Sequence, residues 1–371
     1  MMSRDIICGN PQERALTQKM AKATLIDKTR PDQTYSYTLK SSLKRFSHSL
    51  DKFPLLPKIR RIIHNHLWGK DRKHFHFFSR TNFDRIPYII RRADPTVGLF
   101  SYFITILGAL AYADEKGYTP VVDMKNYMNA YLYPSELGRV NSWEYFFEQP
   151  GGVSLEEALS CRKYITGRDS IRFPCPGWPA ENIRELFANT GGKLDYWRGI
   201  CRKYISLSQE VLALLEKETQ KFSGKRVLGV SLRGTDYIAL RPHGHPVQPT
   251  AEQAIAKAQE VMTAGNYDAI YLAVEDAGYI KVFRDAFGEK LVLSDRNAID
   301  FDYNAGKLIM HYWTDRREND KYLTGLEYLV SMLMLIKCNG LITSMTSGAA
   351  GVMCLSEGFE YLHVFDLGVY P

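Results

Sequence analysis

Residues 225–276, KRVLGVSLRGTDYIALRPHGHPVQPTAEQAIAKAQEVMTAGNYDAIYLAVED, decide the fold. Arg226–Leu232 is a short apolar run, and Ala269–Val274 is a second one. Between them Thr250–Thr263 has the small and charged residues of a helix. The alternation continues downstream. Ala277–Phe287 reads as a helix, Lys290–Leu293 as a strand and Tyr322–Lys337 as a long helix. Gly340–Thr343 is then a strand, Ser347–Leu355 a helix and Glu360–Val364 a last strand. Strands that alternate with helices predict βαβ units and a parallel sheet covered on both faces.

Upstream the pattern is looser. Val97-Gly98-Leu99 leads into an apolar helix that runs to about Glu115 and stops at Gly117, and Thr119–Asp123 follows as a buried strand. Asn141–Pro150, NSWEYFFEQP, is aromatic. Residues 154–222 read mainly as helices, with Pro174, Pro176 and Pro179 marking a loop. Residues 1–92 show no sustained period. A chain of 371 residues suits two domains. The expected parts are a basic extension over 1–92, an α/β domain over 93–224 and a Rossmann-like domain over 225–371.

Charge divides along the same line. Residues 1–92 hold 20 Lys and Arg against 7 Asp and Glu, and the remainder holds 28 against 34. A basic third on an acidic body fits an anionic partner such as a membrane surface, an acidic glycan or nucleic acid, or else a plain solvated surface. Lys58–Phe78 mixes basic residues with Ile, Trp and Phe in the manner of an interfacial segment, or of a basic helix packed on the body. The six cysteines have no CxxC spacing, and Cys338 and Cys354 sit in apolar runs as expected of buried thiols. The first residues lack a signal-peptide core. The uncharged stretch Val97–Ala113 has 17 residues, short of the roughly 20 that span a membrane. A cytoplasmic chain, held peripherally at a membrane if at all, is the expectation. Walker A, GxSxG, HExxH, kinase and GxGxxG patterns are absent, which counts against ATPase, hydrolase and dehydrogenase chemistry.

Ligands of open α/β sheets bind outside the carboxyl ends of the strands. Three such ends are polar here. Ser231-Leu232-Arg233-Gly234-Thr235-Asp236 offers a guanidinium that can fork onto a pyrophosphate. Asp236 could orient it or act as a base; a structural Arg–Asp pair is the other reading. Glu275-Asp276 can hold ribose hydroxyls or take a proton, although Asp276 equally suits the N-cap of the next helix. Thr343–Gly351, TSMTSGAAG, puts hydroxyls and backbone N–H groups at a helix start, either as an anion site that small residues let a phosphate approach or as a plain N-cap. Asp300-Phe301-Asp302 matches the DxD pattern of metal-dependent glycosyltransferases but lies in a loop, and such triplets are common by chance.

In this order the pieces resemble the fucosyltransferase superfamily of GT-B fold, nearest to the α-1,6-fucosyltransferase group that includes the nodulation enzymes. The matching runs are Ser231–Asp236, His245-Pro246, Tyr271–Asp276, Ser294-Asp295-Arg296 and Ser344–Ser347, with Gly98-Leu99-Phe100 and Val121-Val122-Asp123 upstream. The resemblance covers roughly residues 95–371. It implies two Rossmann-like domains facing a cleft. Arg233 would lie on the donor pyrophosphate and Asp295 would recognise guanine. Thr346 and Ser347 would lie near the phosphates, with Ser231, Glu275, Asp276 and Gly98 also in the donor site. It further implies inverting, metal-independent transfer from a GDP-sugar, with no cofactor, to a glycan acceptor in bacterial surface-polysaccharide or glycan assembly. The acceptor is expected over Gly98–Tyr102 and the aromatic Trp143–Phe147, and nucleic acid is not an expected partner. The chain departs from the pattern where Gly234 replaces a second arginine and Ser231 a histidine. The loop glutamate proposed as the α-1,6 base has no counterpart, which leaves Asp236 as the candidate base. Transfer of a different nucleotide sugar, or a non-catalytic nucleotide-sugar-binding role, is the alternative.

Overall fold

A computed structural model describes residues 71–371 except 78, 80, 93, 95, 235, 297 and 305–316, together with the backbone but not the side chain of Asp236. These residues belong to one compact unit, Leu50–Pro371. The expected extension up to residue 70, with Cys8, His64, His66 and most of the interfacial segment, lies outside the described residues.

The elements in chain order are β1 (Arg72–Phe75), β2 (Pro87–Arg91), α1 (Leu99–Glu115), β3 (Thr119–Val122), α2 (Leu155–Ser160), β4 (Lys163–Asp169), α3 (Ala180–Phe187), α4 (Lys193–Tyr204), α5 (Gln209–Thr219) and β5 (Val227–Ser231). They continue with α6 (Asp236–Leu240), α7 (Ala251–Gly265), β6 (Ala269–Ala273), α8 (Ala277–Phe287), β7 (Leu291–Val292), α9 (Asp320–Ile336), β8 (Gly340–Ser344), α10 (Ser347–Leu355) and β9 (Tyr361–Phe365).

The second half follows its sequence pattern closely. β5, β6 and β8 are buried along their whole length, as strands covered on both faces must be. Their sheet is parallel in the order β7-β6-β5-β8-β9, with Ser231 opposite Ala273 on one side and Thr343 on the other. The chain runs outward from β5 to β7, then crosses back to β8. The order therefore reverses between β5 and β8, and that switch opens a crevice at their carboxyl ends.

The first sheet has the order β1-β4-β2-β3 and is parallel except for β1. Two expectations change here. Residues 72–75 and 87–91, read as part of the extension, are strands of this sheet, and β2 is one of its two inner members. Residues 163–169, read as helical, form β4, in which the consecutive Tyr164 and Ile165 are both buried and Gly167 lets the Tyr88 ring approach where a Cβ would stand 2.6 Å from it.

Small residues on α10 dock the second sheet's helix against the first half. A Cβ at Gly351 would lie 2.2 Å from the Phe100 ring on α1, and α10 also packs on α4. The run Ser347–Gly351, expected to admit a phosphate, thus has a packing cause beyond its first residue. On α9, Gly325 lies against Phe146 and Tyr131 in the same way. Trp143, Phe146 and Phe147 are fully buried, with Trp143 stacked on Phe147 and Phe147 on Phe103, so they serve the core and not an acceptor surface. Tyr102 is buried too. The five described cysteines are buried free thiols.

Candidate active site at the carboxyl edge of the second sheet

Arg233 stands two residues past β5, a little over a quarter exposed. Its guanidinium carbon lies 4.9 Å from the centre of the Tyr237 ring, and Nη1 donates to Glu275 Oε1 at 3.5 Å. Glu275, two residues past β6, is shared. Its Oε2 accepts from Arg296 Nη2 at 2.7 Å. Arg296 lies over the Tyr328 ring at 4.9 Å.

A non-local pairing makes this convergence possible. The loop after β7 folds back over the end of β6, where Ile299 N–H donates to Glu275 O at 2.8 Å and Ala277 N–H donates to Ile299 O at 3.0 Å. That bridge brings Arg296 over Glu275. α8 and the same loop crowd Gly234 from two sides. A Cβ there would meet the Tyr279 ring at 3.1 Å and the Tyr303 hydroxyl at 3.4 Å. A larger side chain at this position would press on both tyrosines.

Tyr328 of α9 touches both helix starts. The Phe100 ring of α1 meets it edge-on at 5.6 Å, and its hydroxyl lies 3.2 Å from where a Cβ would project at Gly348 of α10. Burial pushes the Tyr328 phenol up to about 12; Arg233 opposes this, Glu275 adds to it and Arg296 opposes it. Tyr131, whose phenol burial also raises, feels Arg296 and Glu275 as well. The Arg233–Glu275–Arg296 cluster therefore lies where the two halves meet.

The expected site residues divide. Arg233 and Glu275 come together. Thr346 is the N-cap of α10, its hydroxyl accepting from Ala349 N–H at 3.1 Å, and Ser347 opens that helix at the end of β8. Ser231 is buried as the last residue of β5. Gly98 caps α1 at the surface, with open space beside its Cα. Asp276 is buried and engaged with its own surroundings. One oxygen accepts from Gly278 and Tyr279 N–H at 2.8 and 3.3 Å as the N-cap of α8, and the other accepts from the Tyr303 hydroxyl. Asp295 makes its side-chain contacts outside the cluster. It is two-thirds exposed and bonded to Lys221 Nζ at 2.8 Å, and that hydrogen bond holds its carboxyl below the usual range. The side chain of Asp236 lies outside the described residues.

Sequence reasoning missed the role of Arg296, although it belongs to one of the matching runs. It also missed Tyr237, whose hydroxyl lies 3.1 Å from His245 Nδ1, while Trp178 from the first half packs on the His245 ring. Asp302 accepts from Asn304 N–H at 2.9 Å in a turn. Among the described residues no group of three or more His, Cys, Asp and Glu side chains could hold a metal ion, and no helix is long and apolar enough to cross a membrane.

No family model and no curated protein matches the chain. Solved structures do match it. NodZ α-1,6-fucosyltransferase co-crystallised with GDP aligns at a TM-score of 0.42 and 16% identity, over 73% of this chain and 92% of that one. Fucosyltransferase NodZ from Bradyrhizobium aligns at 0.41 and 15%, over 73% and 93%. POFUT1 in complex with GDP aligns at 0.45 and 10%, over 76% and 99%. These solved structures are fucosyltransferases, and the likeness is one of fold.

Proposed function

We propose that the chain is an inverting, metal-independent glycosyltransferase that moves a sugar, fucose or a close relative, from a GDP-linked donor to a glycan acceptor. One observation carries the reading. Arg233 and the start of α10 stand at the carboxyl ends of neighbouring strands, on the two sides of the switch point. A diphosphate laid across that crevice meets a guanidinium on one side and helix N–H groups on the other.

In the reaction the acceptor oxygen attacks the anomeric carbon as the bond to the diphosphate oxygen breaks. The acceptor proton passes to a carboxylate, with Asp236 as the candidate. The electron pair leaves with the nucleoside diphosphate, and Arg233 meets the charge that develops there. For Asp295 to read guanine its carboxylate must exchange Lys221 for the base. A place in bacterial surface-polysaccharide or glycan assembly, with the basic N-terminal third at an anionic membrane surface, completes the proposal.

Thermal denaturation of the full chain with GDP, UDP and GDP-fucose tests it. A ligand at about 100 times its dissociation constant adds about 2.7 kcal/mol of stability. GDP and GDP-fucose should raise the midpoint and UDP should not, and donor turnover should appear once a glycan acceptor is supplied. Stabilisation by UDP and not GDP would move the donor to another nucleotide class. Binding with no donor turnover, even by hydrolysis, would make the chain a nucleotide-sugar-binding relative.

A further inference from the structure

The cluster contains two guanidiniums and one carboxylate, and only one of the guanidiniums has been given a task. Arg296 is nine-tenths buried, yet its side chain makes a single hydrogen bond to a described residue, the one to Glu275 Oε2. A guanidinium carries five N–H donors. Four of Arg296's donors are therefore not taken by any described residue, while Tyr328 covers one face of the plane. None of its nitrogens is both fully buried and unbonded, so the open donors face accessible space and not the core. The loop holds the side chain there through the backbone bridge at Ile299.

We infer that Arg296 is a second anion-binding arginine of this site, and that Glu275 is the positioning residue that stations both guanidiniums for a diphosphate. The inference rests on the donor reading above. Glu275 stands between the two positive charges and offsets their repulsion. The two contacts are unequal. The Arg296 bond is short and charge-assisted at 2.7 Å, and the Arg233 contact is long at 3.5 Å. An entering diphosphate can draw Arg233 away from Glu275 while Arg296 keeps that bond and offers its remaining donors. An arginine spreads its donors over a rigid planar fork, whereas a lysine gathers its three on one nitrogen. Gly234 carries no cation, and the second cation of this crevice comes from the loop after β7.

The test titrates inorganic pyrophosphate, GDP and guanosine into the full chain by calorimetry. Arg296→Gln keeps an N–H for Glu275 without the charge, and Arg296→Lys keeps the charge without the fork. Both should bind pyrophosphate and GDP at least tenfold more weakly than the unaltered chain, and guanosine equally well. A merely structural role would weaken guanosine too. Pyrophosphate and GDP binding within twofold of the unaltered chain in either variant would overturn the inference, as would an unaltered chain that binds neither. The two readings fail separately. Pyrophosphate binding that depends on Arg296, in a chain that turns over no nucleotide sugar, sinks the transferase and leaves the clamp. Turnover that is indifferent to Arg296 does the reverse.

Discussion

At the carboxyl edge of the first sheet, charged side chains fasten their own neighbourhood. Arg92 donates to Ser101 O and to Thr105 Oγ1 at the start of α1. Asp123 accepts the N–H groups of Lys125 and Asn126, and Asp169 accepts that of Ile171. At the edge of the second sheet, Arg233 and Arg296 reach a carboxylate that belongs to a different loop from either of them. Both edges hold arginine and acid at strand ends. Arg92 also keeps a nitrogen without a hydrogen bond, but that Nε is sealed in the interior, whereas no nitrogen of Arg296 is both buried and unbonded; a strand-end charge becomes a candidate for chemistry when its leftover donors can be reached.

The widest separation should come from truncating one arginine at each edge. Arg233→Ala should lower transfer about 10²–10³-fold, the loss typical of one transition-state donor, with little change in stability. Arg92→Ala should cost about 1.5–3 kcal/mol of stability, the worth of a hydrogen bond to a charged group. Chemical denaturation and initial rates on both variants decide it. Near-normal turnover in Arg233→Ala removes the basis for treating the two edges differently.

Asp276 sits at the second edge and behaves like a residue of the first. It caps α8 and accepts from Tyr303, so Asp276→Ala should cost about 0.5–2 kcal/mol, and Asp276→Ser, which can still cap, should recover most of it. A loss of GDP affinity in Asp276→Ser with the stability restored would put Asp276 back in the donor site.

A smaller effect with a definite sign is expected at Asp123. Burial raises its carboxyl pKa, and the N–H groups around it and Arg91 offset this only in part. With the folded pKa above the unfolded one, the native state holds the proton longer. Stability then falls as pH rises from the unfolded value through the folded one and stays lower above it. Asp123→Asn keeps an oxygen for the Lys125 and Asn126 N–H groups and removes the buried charge. Its melting temperature should exceed that of the unaltered chain at pH 7, and the gap should close below both pKa values. A lower melting temperature at pH 7 contradicts the sign.

The same contrast explains what the sequence could tell. β5, β6 and β8 were legible because parallel strands buried on both faces are uninterrupted apolar runs, VLGVS, AIYLA and GLITS. β4, KYITGRD, was not. Charges stand at its ends, and its glycine is there for the Tyr88 ring, a residue 79 positions away. Arg233 could be placed because a strand end is a local feature. Arg296 could not, since its position depends on Ile299 pairing across to Asp276. Asp276 offered two readings to the sequence, and in the structure it accepts from the N–H groups of Gly278 and Tyr279 as a cap does.

Asp295 is where the comparison is most exposed to correction. Its carboxylate is mostly in solvent and bound to Lys221, with Lys217 at 4.0 Å. Exposed pairs of this kind contribute about 0–1 kcal/mol, because water screens them and ordering two long side chains opposes them. Asp295→Ala should therefore leave stability almost unchanged. Its effect on binding is the informative quantity. A carboxylate that can leave Lys221 for guanine should, when removed, erase the preference for GDP over UDP while leaving pyrophosphate binding as it was. If the preference survives in Asp295→Ala, Asp295 belongs with Asp123 and Asp169 as a residue that serves its own surroundings, and the base is read elsewhere in the crevice.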